Sequence, residues 1–486
     1  MDQALATCLA FPPEGPLDDD VAYDQAIQAH LLKLTKLLKD PPVPLCQYGG
    51  QLLELTDPEY NSLSYLAVLH SLCVPSLVEP REFVLDKLVR FLLGFDPRQI
   101  RYAGSHLSEI LTAVCNGSLL PPAVAVEVVS AAILKIDPTG SMFTSTHLQL
   151  AKLAYNTNNI DPALKVVEKN IVFYPGMANS KRPAMLCDMT LSPSVYIHKD
   201  TGFTNPVKAT SVLEYDLLSG MMFCSKRDWE KAHAAFERIL TFPTRDGGCS
   251  KIMAEAYKKW VLVSLLSKGK VIPIPQYAGP AAAKAYQILG KPYKEVASLF
   301  DTTNAEELRS EVEKSSQIWQ DDQNVGLMKE VLSAYQEWQI KNLQKVFSKI
   351  SIAEIRQQTK SAQTGAILNS DDDIEALIQN MIISNSLKGV LEKNDDGTVF
   401  LTFLPSSTVL SEAEYAQELA KTAVQLKDLE PIFKATNERL GTSREYIKHL
   451  IKEQKRAADK SELDPTMGFE SHVDDEDLMG GVTSTA

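Results

Sequence analysis

Phe347-Ser348-Lys349-Ile350-Ser351-Ile352-Ala353-Glu354-Ile355 opens the stretch of sequence that decides the fold. Ser351 is placed to cap a short helix that carries Ile352 and Ile355 on one face. Ser370-Asp371-Asp372-Asp373 then starts a second helix, with acids at its positive end and Ile374, Leu377, Ile378 and Met381 on one side. A hairpin follows. Residues 387–393 and 398–403 flank Asn394-Asp395-Asp396-Gly397, whose Asp-Gly pair suits a tight turn. Val399, Leu401 and Phe403 alternate along the second strand. Two helices and a hairpin in this order, from Lys345 to about residue 405, predict a winged helix. A strand at the border of such a sheet, with Val390 and Leu401 as its edge positions, offers backbone groups to a neighbouring chain.

Winged helices commonly read DNA, so charge is the first test. A helix that reads a duplex needs cations toward phosphates. The second helix here carries Asp371, Asp372, Asp373 and Glu375, and no Lys or Arg until Lys388. The module is therefore expected to bind protein, with no nucleic-acid partner.

Bulk composition points the same way. The net charge is −13, from 49 basic and 62 acidic residues, which disfavours a general nucleic-acid or anionic-membrane binder. Residues 461–486 hold acids and no Lys or Arg, and read as an acidic disordered tail. The cysteines at 8, 46, 73, 115, 187, 224 and 249 are scattered, with no Cys-x-x-Cys, as in a reduced compartment. Cytoplasm and nucleus are the expected locations. No signal peptide is legible at the start, and no apolar run approaches the roughly 20 residues of a membrane span.

Outside the winged module the pattern is helical. Residues 1–20 read as a flexible N-terminus, and 21–210 as N-terminal helical repeats. Within them, 174–206 breaks the helical period with Pro175, Pro183, Pro193 and Pro206, and reads as an ordered excursion or an insertion. From 211 to 344 the helices are TPR-like. Gly220, Ala232 and Ala235 are small, Phe236 is bulky, and Pro243 closes the unit. Small residues let helices approach, and large ones fill the groove between pairs. The fold class is thus mostly α: a TPR-like right-handed helical solenoid, a winged-helix subdomain with a small β-hairpin, and a long C-terminal helix.

That last helix, 411–460, carries Leu419, Leu426, Phe433, Leu440 and Ile447 seven residues apart. Such a stripe seeks partner helices in a bundle. Pro431 and Gly441 predict a kink or a restart inside it.

Helical repeats, a winged helix and a long terminal helix, in that order, resemble the PCI-domain proteins, scaffold subunits of the proteasome lid, the COP9 signalosome and a translation initiation complex. The segments Leu218–Met222, Trp229–Phe236, Glu255–Leu265, Thr303–Arg309, Asp322–Lys329 and the hairpin at 394–403 are similar, more narrowly, to the signalosome's subunit 3 family. The resemblance covers about 211–404, so 211–405 is expected to be the PCI domain. It implies a non-catalytic scaffold in a complex that removes Nedd8 from cullin-RING ubiquitin ligases. The implied partners are other PCI and MPN subunits and, through the complex, those ligases. The rival is a paralogous PCI subunit of the proteasome lid.

Catalytic motifs are missing. Gly-x-Ser-x-Gly, His-Glu-x-x-His, the P-loop and Gly-x-Gly-x-x-Gly do not occur, nor does the His-x-His of the signalosome's zinc isopeptidase. No enzyme activity, metal or cofactor is expected. His106 and Glu109 share a helical face but are two ligands short of a tetrahedral site. Trp229, Tyr257 and Trp260 read as packing. Lys452, Lys455 and Arg456 read as a solvated face.

Overall fold

The computed structural model describes residues 2–13, 19–39, 45–74, 82–175, 185–244, 248–394, 397–404, 412–442 and 444–461. The chain divides into two compact units, Met1–Val409 and Leu410–Ala486. No described helix is long and apolar enough to cross a membrane.

The first unit is a stack of helices around one continuous core, followed by a small second core. The stacking rule is visible between Ala209–Ser225 and Trp229–Leu240. A Cβ added at Gly220 would lie 2.5 Å from the Phe236 ring, so only glycine lets these helices approach so closely. Ala232, Ala235 and Phe236 are fully buried there. The next helix, Lys251–Lys268, begins where Ser250 Oγ accepts the Met253 amide at 3.2 Å. It stops at Gly269, whose φ of +69° closes the helix.

The helix Val325–Leu343 belongs to both cores. Met328, Val331 and Tyr335 pack into the solenoid. Ile340, one to two turns later, is buried with Ile350, Ile355, Ile374, Ile378, Met381, Leu401 and Phe403 in the winged module. The module itself runs β1 (Lys349–Ser351), helix Ile352–Gln358, helix Asp371–Ile383, β2 (Gly389–Lys393) and β3 (Val399–Phe403). The sheet is antiparallel in the order β1-β3-β2, with Ile350 opposite Leu401 and Leu391 opposite Leu401 on the other side.

Several expectations need correction. The N-terminus was expected to be flexible, yet Asp2–Leu9 is a helix and Ala4, Cys8 and Phe11 are core residues. Asn61 Nδ2 donates to the Phe11 carbonyl at 2.8 Å, which ties the segment down. Residues 14–18 lie outside the described ones, as do the turn residues 395–396 and the tail from 462. A three-residue strand precedes the short helix, because Ile350 can reach the core from extended backbone as well as from a helix. The helix Val325–Leu343 ends before this strand, which leaves residues 349–351 to join the sheet.

Residues 176–184 of the expected excursion lie outside the described ones, but 185–208 are an ordered strap. Leu186, Cys187, Tyr196, Ile197 and Phe203 are buried. Arg98 Nε donates to the Cys187 carbonyl at 3.1 Å, and Tyr196 Oη to the Ile136 carbonyl at 2.8 Å. The strap thus borrows its core from the repeats instead of making one, and needs no helical period.

In the second unit, Glu412–Thr442 and Arg444–Ser461 are two helices. The first runs through Pro431 without ending. It also passes Gly441 and reaches Thr442; Ser443 lies outside the described residues.

Candidate interaction surfaces

The winged module presents two sheet edges, and hydrogen bonding distinguishes them. Leu404 N donates to Lys388 O and Asn394 N to Thr398 O, both at 3.0 Å. In an antiparallel ladder, bonded pairs alternate with unbonded ones. Val390 and Glu392 therefore turn their backbone groups inward, to Thr402 and Phe400 of β3. Gly389, Leu391 and Lys393 turn theirs outward, and no described strand pairs with that side.

The β1 edge is different. Phe403 N donates to Ser348 O at 2.9 Å, so Ser348 and Ile350 face β3, and Lys349 and Ser351 face out. Ser351 N is already taken: it donates to Glu354 Oε2 at 3.3 Å in the capping box of the following helix. The cap that starts this helix thus occupies the Ser351 end of this edge and leaves Lys349 as its outward residue, against three on β2. β2 is the open one.

Of the two edge positions read from the sequence, Val390 lies on β2 and is 46% exposed. Leu401 does not lie on an edge. It sits on the central strand, fully buried between Ile350 and Leu391. The hairpin alone suggested two edges; the unforeseen β1 takes one of them and turns β3 into the middle strand.

The outer face of the sheet sets polar groups beside Val390 and Phe400. Lys349 Nζ contacts Glu392 Oε2 at 2.6 Å across β3, and Thr402 Oγ1 donates to the same carboxylate at 3.2 Å. The hydrogen bond from Lys349 holds the Glu392 carboxyl below the usual range. Across the module, Arg356 Nε pairs with Asp371 at 2.7 Å, and Ser370 Oγ accepts the Asp373 amide at 3.1 Å. Asp372 and Asp373 remain exposed.

A buried polar network holds the shared helix to the solenoid. Lys259 Nζ donates to Asn324 Oδ1 at 2.9 Å and Glu255 Oε1 at 3.1 Å. Asn324 Nδ2 donates to Tyr293 Oη at 2.8 Å, and Tyr293 Oη to Asp322 Oδ2 at 2.7 Å. Lys258 Nζ completes it on Asp322. Burial, with the hydrogen bond to Asp322, pushes the Tyr293 phenol up. Glu255, Lys258, Lys259, Asp322 and Asn324 all come from two segments singled out in the sequence; their meeting was not foreseen.

The aromatic residues are packing. Tyr257 and Trp260 are buried, with Tyr257 stacked on Tyr286 at 5.0 Å. His106 and Glu109 have a neighbour the sequence did not indicate. His70 Nε2 lies 2.7 Å from Glu109 Oε2, and its ring meets that of His106 edge-on at 4.5 Å. Among the described residues, no three His, Cys, Asp or Glu side chains are arranged to hold a metal.

In the second unit Leu419, Leu426, Phe433, Leu440 and Ile447 are all exposed, from 43% at Ile447 to 74% at Phe433. Tyr415, Val424, Leu429, Leu450 and Ile451 are exposed as well. So much uncovered apolar surface on two helices makes them a candidate interaction surface.

With this geometry in hand, known proteins are informative. Residues 29–282 match the family model for the N-terminal helical repeats of COP9 signalosome complex subunit 3. A Neurospora crassa protein named COP9 signalosome complex subunit 3 is 40% identical over 496 aligned positions, covering 99% of each chain. A protein of the same name from Emericella nidulans is 30% identical, over 97% of this chain and 98% of its own.

Proposed function

The chain belongs to the COP9 signalosome subunit 3 family, and from that premise we propose that it is a non-catalytic scaffold of a signalosome that removes Nedd8 from cullin-RING ubiquitin ligases. End-to-end similarity to subunit 3 proteins carries this reading over that of a proteasome-lid paralogue. The role is positional. The solenoid spreads a surface, and the open β2 edge accepts a strand from a neighbouring PCI subunit. The row Leu419, Leu426, Phe433, Leu440 and Ile447 enters a helical bundle with other PCI and MPN subunits. The acidic first turn at Asp371–Asp373 suits protein docking and opposes duplex binding. The complex works in cytoplasm and nucleus.

Two measurements test this. Native complexes purified through a tag on this chain should contain a zinc isopeptidase and several PCI subunits by mass spectrometry; recovery of proteasome-lid subunits in their place overturns the assignment. The pure chain, incubated with a neddylated cullin, should leave the conjugate intact; cleavage by this chain alone would sink the scaffold reading.

A further inference from the structure

The apolar row of the second unit carries a charge pattern of its own, and that pattern fits a second copy of the same row. Leu419, Leu426, Phe433, Leu440 and Ile447 are all exposed, the central Phe433 most of all. The helices that carry them, Glu412–Thr442 and Arg444–Ser461, are separated by one residue, and the spacing of seven continues across it from Leu440 to Ile447. At a rise of 1.5 Å per residue, the row makes a seam of about 40 Å when the two helices lie in line.

Charge divides unevenly along this seam. Residues 412–420 contain Glu412, Glu414 and Glu418 and no Lys or Arg. Residues 444–456 contain Arg444, Lys448, Lys452, Lys455 and Arg456 against Glu445 and Glu453. Between them, Lys421, Lys427, Lys434 and Arg439 nearly balance Asp428, Glu430 and Glu438. One end is therefore acidic and the other basic.

Two copies laid side by side in parallel would set acids against acids and cations against cations. Turned antiparallel about Phe433, they set each acidic end on a basic one, the arrangement of lower electrostatic energy. The same turn places Leu419 opposite Ile447 and Leu426 opposite Leu440, so the apolar row covers itself. Glu418 then falls opposite Lys448, and Glu414 opposite Lys452. Glu418 and Lys448 are both exposed. Glu418 Oε1 lies 3.7 Å from Lys421 Nζ, a loose contact between two well-exposed groups that leaves room for a second cation.

We infer that the free chain pairs with a second copy of itself through this row, antiparallel about a two-fold axis at Phe433. Every contact then occurs twice, as in any isologous interface. The neighbouring row reads Thr422, Leu429, Thr436 and Leu450, half of it polar, so the seam is weaker than a full coiled coil and the pair can part. The row can thus leave its copy and enter the bundle proposed above, one partner at a time.

Sedimentation velocity of the full chain at low salt tests this, over concentrations from about 0.5 to about 50 μM, a range that brackets weak, exchangeable association. The expected result is a monomer that becomes a dimer as concentration rises. Phe433→Glu sets two carboxylates together on the axis and should leave a monomer throughout. Lys448→Glu should weaken the pair about tenfold, since two attractions become two repulsions, and adding Glu418→Lys should restore most of that loss. A parallel pair would show neither effect, because residue 448 would face its own counterpart. The three residues are exposed, so the variants should keep the melting temperature of the parent chain. A monomer at every concentration, a dimer indifferent to Lys448→Glu, or a double variant that pairs no better than Lys448→Glu alone overturns the inference. Each of these outcomes leaves the bundle role standing, since that role is read from assembly and not from the free chain.

Discussion

Replacing Asn324 with Ala should destabilise the solenoid by about 3 kcal/mol. Asn324 is fully buried and makes two bonds, accepting from Lys259 Nζ at 2.9 Å and donating to Tyr293 Oη at 2.8 Å. A hydrogen bond to a charged group is worth roughly 1.5–3 kcal/mol and a neutral one about 1. Lys259, itself 4% exposed, would keep only Glu255 at 3.1 Å, whose side chain is 44% exposed. The ammonium would then be buried and under-satisfied, which costs more than losing both partners together. Lys259→Met combined with Asn324→Leu should therefore cost less than the two single changes added, with a coupling of roughly 1.5–3 kcal/mol. Urea unfolding followed by tryptophan fluorescence is the assay. Trp229, Trp260, Trp319 and Trp338 are the chain's four tryptophans and all lie on this stretch. An Asn324→Ala variant within about 0.5 kcal/mol of wild type, or strictly additive changes, would refute the reasoning, since a surface-like contribution is that small.

The open sheet edge gives a sharp pair of variants. Lys393→Pro removes an amide that faces outward and should leave the circular dichroism intact while weakening strand pairing with a PCI neighbour; Val390→Pro removes one that faces Thr402 and should unfold the module. Identical behaviour of the two would contradict the assigned register. Burial holds His147 down to about 4, and its Nδ1 receives the Thr144 amide at 3.2 Å, so the ring is neutral in the fold. In the unfolded chain it protonates near pH 6.5, so its contribution is complete above that pH and is lost as pH falls toward 4, at about 1.4 kcal/mol per unit. His30, lowered to about 4 by burial and then by Lys33, adds a second proton over the same window. His147→Gln should flatten the slope of stability against pH between 6.5 and 4 by one proton; an unchanged slope speaks against it. Truncation after Val409 removes the second unit whole, and should leave a soluble chain of unchanged melting temperature that no longer joins the complex; full assembly of that chain would rule out the bundle role.

Legibility in the sequence followed the range of the forces involved. Helices announced themselves through local period and punctuation, and Gly220 facing Phe236 was readable because close packing requires a small residue opposite a large one. The capping box at Ser351 and Glu354 was half legible: the cap was evident, but not that it sits at the end of a strand. A three-residue strand carries too few alternations to reveal a period, and it exists only because β3 offers a partner about 50 positions away. Leu401 was misplaced for that reason, since whether a strand is central depends on pairing beyond its own hairpin. The strap was opaque because its stabilising contacts are nearly all distant. Arg98 and Arg101 reach residues 186–188, a separation that no local pattern encodes. The apolar row of the terminal helix was legible as a period of seven, but a stripe says only that something covers it, and not what.

The shared helix Val325–Leu343 joins these observations. Its first turns are fixed by the network at Asn324, and its last turns by Ile340 in the winged core. A Cβ at Gly269 would collide with the Trp338 ring at 2.5 Å, so the middle of the helix is also gripped, by the end of Lys251–Lys268. A helix held at three points along 19 residues has little freedom to swivel. The winged module is therefore oriented by the solenoid, and the β2 edge faces a direction set largely by residues 255–269 and 322–324. For the scaffold role proposed above, in which neighbours are held at defined angles, this predicts two separable defects. Edge variants should lose a contact, whereas network variants should keep the edge but present it at the wrong angle. Adding Lys259→Met to the edge variant Lys393→Pro should then weaken assembly no further than Lys393→Pro alone, because a contact already lost cannot be misaimed. A further loss in the double variant would show that the network acts on assembly by another route.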